Sequence, residues 1–190
     1  MEMNLYKYTI EQNIRKTTPA MNALQETTIA LLAKKEAHKI EVTELCKKAN
    51  VFRNTFYVYY DSVDDVIAEK GNALLAELHR INTDVMNIEN QLPEDFAFFK
   101  ETVTYVLFHK SEFLTLATIR PDYRFIKKWK DGIAYHLYER KCLSGKTVTE
   151  MELEIASSAT ISGLIYYVSH SDTVSLDFMY DMISKVLNIF

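Results

Sequence analysis

The chain has 190 residues, 48% apolar and 25% charged, which suits one sizeable core or a small module joined to a larger one. With four Gly and three Pro it lacks the chain-reversing residues that sandwiches and barrels need, so helices are expected throughout. The net charge of −4 is uneven: residues 1–62 hold nine Lys or Arg against seven Asp or Glu, a net of +2, and the remainder carries −6.

Residues 1–18 have mixed polarity and no clear period, and they read as an arm. Pro19 opens a first helix, where its missing N–H costs nothing, and Ala20, Leu24, Thr27 and Leu31 carry it to about Lys35. A short second helix follows, because Val42, Leu45, Cys46 and Ala49 stand at i, i+3, i+4 and i+7. Asn50 takes the left-handed turn position, Val51 re-enters the core, and Arg53 to Tyr60 form a third helix. Asp61 and Ser62 can cap a fourth, with Asp64 and Asp65 at the positive end of its dipole. That helix is long: Ile67, Gly71, Leu74, Leu78, Ile81, Val85 and Ile88 alternate steps of four and three until Pro93 breaks the pattern. Further helices are predicted over about 94–109, 111–119, 122–142, 149–169 and 176–189, separated by Pro121, Ser144–Gly145 and Ser171–Thr173. The fold class is all-α, with about nine helices.

Several function classes find no support. Ser144-Gly145-Lys146-Thr147 has the tail of a phosphate-binding loop, but Arg140 stands where that loop needs glycine, and no strand precedes it. His38, His79, His109, His136 and His170 form no pair at metal-ligand spacing on one helix, so no metal or other cofactor is expected. No nucleophile, base and orienting acid recur together, so no enzyme is expected. The longest nearly apolar run, Ile161 to Val168, is too short to cross a bilayer. No secretory signal pattern opens the chain. The two cysteines, Cys46 and Cys142, suggest a reducing compartment, so a cytoplasmic protein is expected. Cys46, on the apolar stripe, reads as a small core residue.

Three short helices joined by tight turns, the second and third separated by Ala49-Asn50-Val51, have the proportions of a helix-turn-helix. Leu45, Val51 and Phe56 suit the apolar clasp beneath it. Arg53, Asn54, Thr55, Tyr57 and Tyr59 suit the outer face, where Arg and Asn can pair with guanine and adenine and hydroxyls can hold phosphates. The stretch from Lys39 to Val66, and above all Thr55-Phe56-Tyr57-Val58-Tyr59-Tyr60 followed by Asp61-Ser62, resembles the DNA-binding domain of the tetracycline-repressor (TetR) family.

The resemblance covers residues 20–70 well and reaches the rest only as a layout of helices. It implies a helix-turn-helix head over 1–62, a helical regulatory and dimerising body over 63–190, and a repressor that binds a near-palindromic operator as a homodimer. Carried over by position, Thr55, Tyr57 and Tyr59 would touch double-stranded DNA, with Arg53 and Asn54 nearest the bases; Thr43 of the second helix completes the candidate set. The sequence departs from the family pattern at Glu41, Asn50, Phe52 and Val63, where the family usually places Thr, Gly, Ser and Lys. Those departures leave a second reading open, a head that no longer grips DNA in a protein acting through protein partners.

The body is rich in aromatic residues. Phe99, Tyr105, Phe108, Trp129 and Tyr135 are candidates to line a pocket for a small-molecule effector, such as the family often holds between the fourth and seventh helices; at helical spacing they could equally fill a solid core. The last two helices are the dimer candidates. Ser158 and Ser162 permit close approach, and Leu164, Ile165, Val168, Met179, Met182, Ile183 and Val186 supply apolar area.

Overall fold

The computed structural model describes residues 15–88, 95–143, 145 and 147–187, and among the described residues every regular element is helical. Helix α1 spans Pro19–Leu32, with Pro at its start and the Thr18 hydroxyl accepting from the Met21 amide at 3.3 Å. It ends three residues before Lys35, in a turn that leads to a single 3₁₀ turn at Ala37–Lys39, which the apolar pattern does not signal. Helix α2 is Val42–Ala49 and α3 is Arg53–Tyr59. Asn50 between them has φ 53°, the left-handed turn expected of it, and the Val51 amide closes the end of α2 on the Cys46 carbonyl at 3.0 Å.

The α4 helix, Val63–Ile88, opens on a reciprocal cap: the Asp65 amide donates to the Ser62 hydroxyl, and the Ser62 amide donates to the Asp65 carboxylate at 2.8 Å. Along it Ile67, Gly71, Leu74 and Leu78 are buried and Ile81 is half-buried; the side chains of Val85 and Ile88, and Pro93 itself, lie outside the described residues. After α5, Asp95–Phe108, the expected helix over 111–119 divides into two parts. Helix α6 is Lys110–Leu114, and Thr115–Ile119 continues as one wide π turn. The cause is Pro121, which has no N–H to offer; instead the Arg120 and Asp122 amides reach back to the Thr115 and Leu116 carbonyls, both at 2.9 Å. Then come α7, Tyr123–Leu143, α8, Glu150–His170, and α9, Leu176–Leu187. Thr149 and Glu152 cap α8 reciprocally, so this start is fixed by side-chain chemistry as well as by packing.

Packing follows chain order. Helices α1, α2 and α3 clasp one another and the first turns of α4, with Leu24, Leu45, Phe56 and Val66 fully buried at the centre. Farther along, α4 packs on α5 and α7, and α8 lies between α7 and α9. Trp129, Phe113 and Phe125 form the aromatic heart of this second part, with Phe113 and Trp129 ring centroids 4.8 Å apart. Gly71 lets α7 seat on α4, since a Cβ there would stand 3.0 Å from Cδ2 of Phe125.

Candidate nucleic-acid interface

Helix α3 stands on its own clasp. Phe56 is completely buried where α3 packs on α2, whose Leu45 and Cys46 are buried too, and Tyr60, at the end of α3, is buried beside it with ring centroids 5.8 Å apart. Every other side chain of α3 is exposed or half-buried. Arg53, Asn54, Tyr57 and Val58 face outward, while Thr55 and Tyr59 are half-buried at the flanks. The four outward positions are i, i+1, i+4 and i+5, which share one side of a helix. Arg53 folds back on that side: Nη2 approaches the Tyr57 hydroxyl at 3.4 Å, and its guanidinium lies 5.9 Å from the centre of the Tyr57 ring. Thr43 on α2 is exposed.

The charge around this face is positive. Helix α3 has no acidic residue, and Lys47 and Lys48 stand exposed on α2. The one acid on α2, Glu44, is taken up by Lys35 and by Lys48, the latter at 3.1 Å, and these hydrogen bonds hold its carboxyl below the usual carboxylate range. Glu41 and Phe52 occupy the N-cap positions of α2 and α3, but neither side chain makes a cap hydrogen bond. Val63 is buried, so this position supplies core area where the family pattern usually supplies a lysine.

The end of α3 is fastened to α4 by a cluster that begins in the segment read as an arm. Arg15 Nε donates to Glu69 Oε1 at 2.6 Å, and Nη2 donates to the Tyr59 carbonyl at 2.8 Å and to Glu69 Oε2 at 3.1 Å. Gln25 of α1 donates to the Tyr60 hydroxyl at 3.0 Å and to Glu69 at 3.3 Å. Burial, with the Glu69 carboxylate close by, pushes the Tyr60 phenol up to about 12. Burial acts on Glu69 in the raising direction too, yet hydrogen bonds from Arg15 and Tyr60 outweigh it and leave the carboxyl below its ordinary value. Sequence reading misses this cluster because its bonds join residues 35 to 54 apart that share no period.

In the second part of the chain, α4, α5, α7, α8 and α9 enclose a cavity of about 80 Å³. Phe99 and Trp129 line it, together with Leu75, Leu78, Ile133 and Leu164. Its polar wall contains the Thr102 hydroxyl donating to Asn82 Oδ1 at 2.7 Å, and His136 Nε2 facing His79 Nδ1 at 3.0 Å. Burial, and then the neighbouring His79, push His136 down to about 3. Three of the residues proposed for a pocket do not line this cavity. Phe108 is 81% exposed at the end of α5, Tyr105 packs on His109 and Phe113, and Tyr135 is turned to bond Glu139. Among the described residues no cluster of three or more potential metal ligands forms, and no helix is long and apolar enough to cross a membrane.

No family model matches the sequence, and no curated protein matches it. Solved structures do. A crystal structure assigned to the TetR family, from Shewanella sp. PV-4, is 14% identical and superposes with a TM-score of 0.68 over 92% of this chain and 98% of that one. The fatty acid degradation regulator FadR of Bacillus halodurans gives 13% identity and a TM-score of 0.65, covering 92% and 96%. Thermus thermophilus FadR, a TetR-family repressor solved with lauroyl-CoA, gives 17% and 0.58, covering 89% and 92%. The chain has the TetR-family fold.

Within the TetR fold, the residues offered for dimerisation divide between two faces. Leu164, Val168, Met179 and Ile183 are buried inside the chain's own core, so they are corrected to core residues with no area left for a partner. Ser158, Ile165 and Val186 are half-buried, and Ser162 and Met182 are exposed. Helix α8 is apolar on two sides, and its outward side is a different row: Met151, Ile155, Ser162 and Tyr166, continued on α9 by Phe178 and Met182. The mixed pattern of α8 gave no means of choosing between the two sides.

Proposed function

We propose that the chain is a DNA-binding transcriptional regulator, most simply a repressor, with a helix-turn-helix head over residues 1–62 and a regulatory body over 63–190. The observation that carries this reading is α3: a helix held by one buried residue, Phe56, that presents Arg53, Asn54 and Tyr57 to solvent on a face with no acid. Thr43, Thr55 and Tyr59 complete the proposed contacts, the hydroxyls serving phosphates and Arg53 and Asn54 serving base edges. Two copies would join through the outward rows of α8 and α9 and set their α3 helices about 34–36 Å apart in successive major grooves of a near-palindromic site. The lauroyl-CoA held by Thermus thermophilus FadR supports an effector site in the body, and we place it at the cavity beside Trp129 and His136. At about 80 Å³ that cavity is smaller than the usual ligand pocket of about 300–1,000 Å³, so an effector either is small or widens it.

Anisotropy titration against the DNA upstream of its own gene tests the proposal. Sequence-selective binding that weakens steeply with salt, and is reduced by Arg53→Ala and Tyr57→Phe, is expected. A second reading, a head that docks protein in place of DNA, draws on the exposed Phe52 and the buried Val63. It predicts no selective DNA binding even at low salt.

A further inference from the structure

We infer that Phe52 and Val58 read thymine methyl groups, so that the bound site carries thymines under both ends of α3. The inference rests on the DNA-binding reading above and goes one step beyond it, to which bases are selected. Phe52 is 85% exposed and Val58 is 73% exposed, although the apolar work of this helix is already done by Phe56 inside. Two large apolar side chains held in water, one at the N-cap and one within this seven-residue helix, gain nothing for the fold.

Their position decides what they meet. They bracket Arg53, Asn54 and Tyr57 along the chain, Val58 on the same side of α3 and Phe52 at its N-cap, and the neighbouring charge, Arg53 with Lys47 and Lys48, complements phosphate. In the major groove the one strongly apolar feature on a base edge is the C5 methyl of thymine. The two side chains stand six positions apart, roughly 9 Å along a helix axis, which corresponds to about two or three base pairs on a helix lying in the groove. A protein partner fits less well, because the two side chains are split by polar ones and form no continuous apolar patch of the size such partners bury.

The experiment uses the full-length protein and the duplex it enriches from a random-sequence pool. Each thymine in that duplex is replaced singly by deoxyuridine, which keeps base pairing and removes only the methyl. At thymines spaced two to three base pairs apart, each replacement is expected to weaken wild-type binding by about fourfold, the worth of one buried methyl group. Phe52→Ala and Val58→Ala, checked for an unchanged melting temperature, should bind the thymine duplex more weakly than wild type. Each should also be indifferent to deoxyuridine at its own position, a non-additivity that a general loss of affinity would not produce. If DNA is enriched but deoxyuridine is neutral throughout, or costs the variants as much as the wild type, the methyl reading is overturned while DNA binding stands. If both variants bind the duplex as tightly as wild type, it is overturned as well, and the exposed pair serves another partner. If no sequence is enriched, the DNA-binding reading and this inference fall together.

Discussion

His136 ties the stability of the body to pH in a window that few other groups share. Its imidazole is buried in the cavity wall, its Nε2 meets Nδ1 of His79 at 3.0 Å, and desolvation holds its pKa at about 3. In the unfolded chain the same group titrates near the ordinary histidine value of 6.5. The folded value is the lower one, so its contribution to stability is complete above about pH 6.5 and is lost as pH falls toward 3. Between pH 7 and pH 5 the unfolded chain takes up nearly one proton that the folded chain refuses. Integrating that difference gives a loss of about 2 kcal/mol, and of about 4 kcal/mol by pH 3. The carboxyls with lowered values, Glu69, Glu112 and Asp122, lose their contributions only below the ordinary carboxylate range, so they leave the upper window to histidine.

Urea denaturation at pH 7, 6 and 5 measures this directly. Wild type is expected to lose about 2 kcal/mol across the series beyond what His136→Gln loses. The variant is itself less stable at pH 7, so the comparison is between slopes and not between absolute stabilities. Equal slopes would refute the reasoning. So would an NMR titration in which the His136 ring of the folded protein gains its proton near pH 6.5.

Three further outcomes follow from the packing. Phe56→Ala removes the fully buried anchor of α3 and should cost about 3–5 kcal/mol in thermal or urea unfolding, whereas Val58→Ala at the exposed face should cost less than about 0.5 kcal/mol. Gly71→Ala places a Cβ 3.0 Å from Cδ2 of Phe125 and should destabilise by about 1–3 kcal/mol through forced repacking of α7 on α4; a more stable variant would show that the ring moves freely. Ile155→Glu with Met182→Glu puts charge on the outward rows of α8 and α9 and should convert the proposed dimer to a folded monomer in sedimentation. Retention of the dimer would place the interface elsewhere.

How much of this was legible in the sequence depended on whether local chemistry alone set the outcome. The α2 stripe, the left-handed Asn50 and the capping pair at Ser62 act within a few residues, and each stands where the sequence put it. The α3 face was legible for the same reason, since one buried Phe56 fixes which side looks out. The outward rows of α8 and α9 were not. Helix α8 carries apolar residues all round, and only its seating between α7 and α9 turned Leu164 and Val168 inward and Tyr166 outward. The pocket aromatics divide likewise: Phe99 and Trp129 face the cavity while Phe108 faces water, a difference set by helix rotation. The Arg15 cluster was invisible because it joins residues with no shared period.

That cluster matters for what α4 can do. Within one turn, α4 holds both parts of the molecule: Glu69 is gripped by Arg15 and Gln25, Lys70 lies 3.6 Å from Glu112 of α6, Gly71 receives Phe125, and Asn72 Oδ1 accepts from Lys128 of α7 at 2.7 Å. The Arg15 guanidinium is also bonded to the Tyr59 carbonyl, so the last turn of α3 is fixed to the same short stretch. A rotation of α4 at these four residues therefore cannot leave α3 where it was unless the Arg15 and Gln25 bonds break. Those bonds include a charge-assisted pair, stronger than neutral ones, so the less costly response is for α1, α3 and the start of α4 to move as one body.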